Sequence, residues 1–107
     1  MTTFDERENA YEAKFARDEE LRFKAKARRD KVLGAWVAAE IGLSGAAAED
    51  YAKEVLRSDF QHPGDAELIA KVLGDFNAKG IPMEERALRK KLIELMAHAV
   101  AEIESGK

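Results

Sequence analysis

Glu94, His98 and Glu102 follow one another at four-residue intervals, which would stack two carboxylates and an imidazole on one face of a helix, as a divalent-metal ligand set requires. A solvated helix face is built from the same residues. Dinuclear carboxylate bundles place Glu-x-x-His on two helices, whereas this chain has Glu-x-x-x-His on one, so we expect no metal site. His62 stands beside Pro63 in a turn and far in sequence from His98, so no nucleophile, base and orienting acid can be grouped. The chain has no Cys, which removes thiolate nucleophiles, disulfides and zinc clusters and suits a reducing cytoplasm. Gly42-Leu43-Ser44-Gly45 lacks the spacing of a phosphate-binding loop and follows a helical pattern instead of a strand. The sequence therefore reads as a non-enzyme with no catalytic residue and no cofactor, and it leaves open whether the folded part binds a nucleotide.

Recognition is better equipped than catalysis. Phe4, Tyr11 and Phe15 fall at i, i+7 and i+11, within about 40° of one another on a helix of about 100° per residue. Charge interrupts this narrow stripe from Arg17 to Lys31, before Leu33 and Trp36 resume it. Such stripes usually belong to a core; the terminal position and the interruption point here to a recognition surface. Residues 1–20 hold seven acids and three bases, after which Arg22, Lys24, Lys26, Arg28, Arg29 and Lys31 face a lone Asp30. The plain reading of that basic run is a solvated helix face; the sharper one is a landing site for an acidic surface or phosphate. Phe23 within it is expected to face the core.

The elements that position these residues are helices. Thr3 with Glu6 can form a capping box for a first helix reaching Ile41, where Gly42 ends it. Ordering residues 1–18 would cost about 1–2 kcal/mol per residue, against three aromatics worth about 1.5–3 kcal/mol each, so this segment is expected to be a mobile arm, disordered when free. Val32, Leu33, Trp36, Val37 and Ile41 form the first broad apolar face, and Gly34 among them suits a close helix approach. Ser44 is positioned to cap a second helix to about Asp59, and Asp65 a third carrying Leu68, Ile69, Val72, Leu73 and Phe76. A fourth is expected to open near Pro82 and to bury Leu92, Met96 and Ile103 in one core with Trp36, Tyr51, Val55 and Phe76.

Three short links joining four apolar faces specify an all-α fold, a small four-helix bundle over residues 19–107 with a long first helix and the arm, 1–18, ahead of it. At 107 residues there is length for one such domain, and a net charge of −3 argues against a nucleic-acid binder. No apolar run approaches the length of a membrane span, and the acidic start is unlike a secretory signal. A soluble chain, monomeric when free, is expected.

Read residue by residue from Phe4 to Ala39, the sequence resembles the zeta inhibitor subunit family of the α-proteobacterial F-type ATP synthase. The resemblance includes Asp18-Glu19-Glu20, the paired Arg28-Arg29 and Trp36, and it continues through Tyr51-Ala52-Lys53-Glu54-Val55 and Asp59-Phe60. It implies a cytoplasmic protein, peripheral to the inner membrane, whose arm inserts at a catalytic interface of the rotary head (alpha, beta and gamma subunits) and blocks ATP hydrolysis. By matching positions it assigns Phe4, Tyr11 and Phe15 as apolar anchors. Asp5, Arg7, Glu8, Glu12 and Lys14 become register-setting charges, and Arg22, Lys24, Arg28 and Arg29 a docking root. The competing reading is a self-associating helical adaptor, although a heptad seam fails across Arg17 to Lys31.

Overall fold

The structure is a computed structural model and describes residues 19–62 and 64–106. The Thr3 cap, the Phe4, Tyr11 and Phe15 stripe and the expected mobility of the arm lie outside the described residues. Within them the chain forms four helices, α1 (Glu19–Glu40), α2 (Gly45–Phe60), α3 (Ala66–Ala78) and α4 (Glu85–Glu104), and no strand. The all-α, four-helix expectation holds.

Two of the links are closed by the same device. At the end of α1, Gly42 takes φ 86°, its N–H donates to the Ala39 carbonyl at 3.2 Å, and the Leu43 N–H donates to the Ala38 carbonyl at 2.8 Å. At the end of α3, Gly80 takes φ 69°, its N–H reaches Asn77 at 3.0 Å and that of Ile81 reaches Phe76 at 3.0 Å. Both are Schellman closures, which glycine permits because it has no Cβ to clash in the left-handed region. In each, the next residue (Leu43, Ile81) packs back onto the core. Ile81 is thus still occupied in ending α3, and Pro82 further disfavours a helical Ile81. The last helix therefore starts at Glu85 with Glu84 extended before it, and Pro82 lies ahead of its first turn. Ser44 and Asp65 do stand at N-cap positions, but neither side chain makes a capping hydrogen bond.

α1 packs against α2 and α4, and α3 closes the bundle against α2 and α4. Leu33 and Val37 of α1 meet Tyr51 and Val55, Leu68, Val72 and Phe76, and Leu88 and Leu92, in one main cluster. Each such side chain contributes about 1.5–3 kcal/mol when fully buried. The expected single core is in fact two: Ala25, Ala99 and Val100 form a second cluster, with Leu21, Met96 and Ile103 half-buried around it. The reason is length, since α1 has 22 residues and α4 has 20 while α3 has only 13, so the far ends of the long helices pack on each other. Trp36 is likewise half-buried, its ring 6.1 Å from Phe76 with the Lys91 ammonium 4.8 Å above it.

Gly34 is where α1 and α2 come closest: a Cβ placed there would stand 2.6 Å from the Ala52 Cα and 3.0 Å from its Cβ. The obstacle is backbone, so the helices themselves would have to separate. Gly34→Ala should therefore lower the denaturant midpoint, because a clash costing about 1–3 kcal/mol outweighs a helix-propensity gain of about 1 kcal/mol. Gly74, inside α3, has nothing within 4 Å of its built Cβ, and Gly74→Ala should raise the midpoint by the propensity term alone.

Candidate functional site

The residues that the resemblance assigns to a docking root lie on α1, and the fold divides them between surface and interior. Arg22, Phe23 and Lys24 are consecutive and exposed, with Lys24 3.2 Å from Glu20 one turn earlier. Arg28 is half-buried and lines a shallow groove between α1 and α4 with Val32, Leu95, His98, Ala99 and Glu102. Arg29 is only 4% exposed. The remaining assigned residues, Phe4, Asp5, Arg7, Glu8, Tyr11, Glu12, Lys14 and Phe15, lie outside the described residues.

Two apolar side chains do not go where the pattern placed them. Phe23 is 60% exposed, against the expectation of a core position, and it stacks on Phe60 at a centroid separation of 4.4 Å while Lys26 stands 5.3 Å over the Phe60 ring. Val32, assigned to the first apolar face, is also exposed and borders the groove. Phe23 shares Asp30's bearing about two turns earlier, where it meets the last residue of α2, Phe60, whereas Val32 lies about 160° around the helix from Asp30.

Arg29 is the centre of a buried ion cluster. Its Nε donates to Asp30 Oδ1 at 2.9 Å, and its Nη2 reaches Asp59 Oδ2 at 3.2 Å. Its Nη1 and Nη2 grip both oxygens of Asp65 at 3.2 and 2.9 Å. Lys26 adds an ion pair to Asp59 Oδ2 at 3.5 Å. The planar guanidinium fork thereby ties the middle of α1 to the end of α2 and the head of α3, which explains why Asp65 does not cap its own helix. Burial works against the guanidinium charge, but hydrogen bonding to Asp65 and the charges of Asp30 and Asp65 outweigh it and raise the Arg29 pKa. Asp30 goes the other way for a carboxyl, pushed up to about 8 by burial first and then by a hydrogen bond with Asp59, with Arg29 only partly opposing.

A second polar network joins α2 to α3. The Tyr51 hydroxyl donates to Asp75 Oδ2 at 2.6 Å, and Lys71 bridges Asp75 at 3.1 Å and Glu54 at 3.0 Å. Burial, followed by Asp75, raises the tyrosine pKa, so the hydroxyl keeps its proton and remains the donor.

Sequence assigned Asp65 only to an N-cap and gave Asp30 and Asp59 no place in the interior, although a signal existed for these two. Asp30 precedes Leu33, Gly34 and Val37 at i+3, i+4 and i+7, and Asp59 follows Tyr51 and Val55 at four-residue steps, so both carboxylates sit on core stripes. No cluster here offers nucleophilic or metal chemistry: among the described residues no three His, Cys, Asp or Glu side chains are placed to hold a metal ion. What α1 offers is a helix divided along its length: Arg22 and Phe23 share the bearings of Arg29 and Asp30 about two turns earlier, yet they are exposed with Lys24 while Arg29 and Asp30 are buried and locked by ions.

A family model described as ATPase inhibitor subunit zeta matches residues 1–102. No curated protein matches the chain. A protein solved by solution NMR is 41% identical, with a TM-score of 0.69, the match taking in 81% of this chain and 99% of that one.

Removing the guanidinium would leave the buried Asp30 and Asp59 and the partly exposed Asp65 together, with Lys26 as the remaining cation of the cluster. Arg29→Met should cost about 3–5 kcal/mol of unfolding free energy, the scale for stripping one partner from a buried ion cluster. Arg29→Lys should recover little of it, because an ammonium cannot span Asp30, Asp59 and both oxygens of Asp65 at once. Urea titration of the three proteins measures the loss.

Proposed function

The chain belongs to the ATPase inhibitor subunit zeta family, and from that premise we propose that it is a protein inhibitor of the F-type ATP synthase that acts by binding, with residues 1–18 as its inhibitory arm. The arm is disordered when free and folds as an amphipathic helix at a catalytic interface of the rotary head, against its alpha, beta and gamma subunits, so that ATP hydrolysis stalls. Residues 19–107 are the bundle that carries it.

The observation that carries this reading is the extent of the family match, which takes in the whole arm together with the bundle. The chemistry of the arm supports it: Phe4, Tyr11 and Phe15 form a stripe narrow enough for a groove, while Asp5, Arg7, Glu8, Glu12 and Lys14 set register around it. A segment that folds on contact expends part of its binding energy on ordering, which keeps the complex reversible. Arg22, Lys24 and Arg28 form the root of the docked helix. Arg29, grouped with them on sequence, has its donors committed to internal carboxylates and serves the fold. The inhibitor works on the cytoplasmic side, held at the membrane through the synthase; among the described residues no helix is long and apolar enough to cross a bilayer.

Deleting residues 1–18 should abolish inhibition of ATP hydrolysis by the cognate synthase while leaving the thermal transition of the bundle in place. Tyr11→Ala or Phe15→Ala should weaken inhibition by about 2 kcal/mol, roughly thirtyfold, and Glu12→Ala by less. Equal inhibition by the truncated and full chains would sink the assignment, since activity would then reside in the bundle.

A further inference from the structure

The ion cluster leaves two oxygens without a donor. Asp30 is 0% and Asp59 1% exposed, and Asp30 Oδ2 and Asp59 Oδ1 have no hydrogen-bond partner when both groups are written as carboxylates. Their other oxygens are served by Arg29, and that of Asp59 by Lys26 as well. The two carboxyls are close enough to share a hydrogen bond, and as two buried anions, each with one oxygen unpaired, they would repel strongly. The charge count points the same way. Arg29 and Lys26 bring two positive charges against three carboxylates, Asp30, Asp59 and Asp65, so the cluster carries one negative charge in excess.

One additional proton removes both defects, supplying the missing donor and the missing charge. We propose that Asp30 and Asp59 form a buried proton-binding site, in which one proton held between their facing carboxyls completes the α1–α2 contact and its release to solvent at rising pH loosens that contact.

The charged groups around Asp30 are Lys26 and Arg29 from α1, Asp59 from α2 and Asp65 from the head of α3. α4 meets α1 through Ala25, about 140° around the helix from Asp30, and its His98 and Glu102 line the groove there with Arg28 and Val32. The direction of the effect follows from linkage. The Asp30 carboxyl is raised from an unfolded value of 3.8 to about 8, so between those limits the folded chain holds a proton that the unfolded chain has lost. Its stabilising contribution is full below about pH 4 and is lost as the pH rises through about 8. Asparagine is isosteric with the protonated carboxyl, donates from its amide and cannot ionise, so it fixes the occupied state.

The test follows the aspartate carboxyl-carbon signals of the full chain by NMR from pH 4 to 10, with thermal unfolding of wild type, Asp30→Asn, Asp59→Asn and Asp65→Asn across the same range. A titration step above pH 7 at Asp30, absent from the Asp30→Asn and Asp59→Asn proteins and retained in Asp65→Asn, is the expected result. The unfolding midpoint of Asp30→Asn should gain on wild type between pH 5 and pH 9, and α1 and α2 amides near the pair should exchange faster in wild type above the step. Titration of both carboxyls below pH 5, with a variant offset independent of pH, would overturn the proposal; a trapped water donating to both oxygens would give that outcome. If the asparagine variants do not fold, the wild-type titration decides alone.

Discussion

Arg29 has to be satisfied for this bundle to close. Its guanidinium cannot shed its proton at any ordinary pH, so once α1 turns that residue inward the neighbouring elements must bring acceptors to it. They do so from three places: Asp30 beside it, Asp59 at the end of α2 and Asp65 at the head of α3. The angle at which α2 and α3 meet α1 is thereby fixed by directional hydrogen bonds as well as by apolar packing, which tolerates small slips. One turn along α1 from Asp30, the glycine at 34 removes the last steric obstacle, letting α1 settle on the Ala52 backbone. Ion cluster and close contact are adjacent, and each requires the interhelical distance set by the other.

What the sequence made legible was whatever has a period. Helices α2 and α3 announce themselves through Tyr51 and Val55 and through Leu68, Ile69, Val72 and Phe76, and the glycines at 42 and 80 mark the turns that the backbone takes. The close approach at Gly34 was readable because a glycine within an apolar arc of a helix has few other uses. The inner half of α1 was not readable in the same way. Arg29 and Asp30 interrupt its buried face between Ala25 and Leu33, and an apolar template assigned Phe23 and Val32 to the core and Arg29 to the surface, each the reverse of its place. Burial of an arginine depends on carboxylates some thirty residues away, and only the tertiary arrangement brings Asp59 and Asp65 to it. The candidate site was legible as a segment, since the basic run of α1 is continuous in sequence, but its division into inner and outer members was not.

That division would matter if α1 served a partner as well as the bundle, as proposed. Lys26 and Arg29 are turned inward by Asp59, leaving Arg22, Phe23 and Lys24 as the outward group nearest the arm. About two turns further along α1, Asp30 and Leu33 hold the helix in the bundle.

Trp36, the chain's sole tryptophan, sits half in the core, tilted against Phe76 of α3 with the Lys91 ammonium of α4 over its face. Its emission therefore senses three helices at once. A cation held against the indole shifts its excited-state energy, so separating α1 from α3 and α4 changes colour as well as intensity. The protein thus carries an optical gauge of its own bundle. If the arm docks as proposed, that gauge stays unmoved while the bundle stays closed, and a spectral shift on binding marks a bundle that has opened.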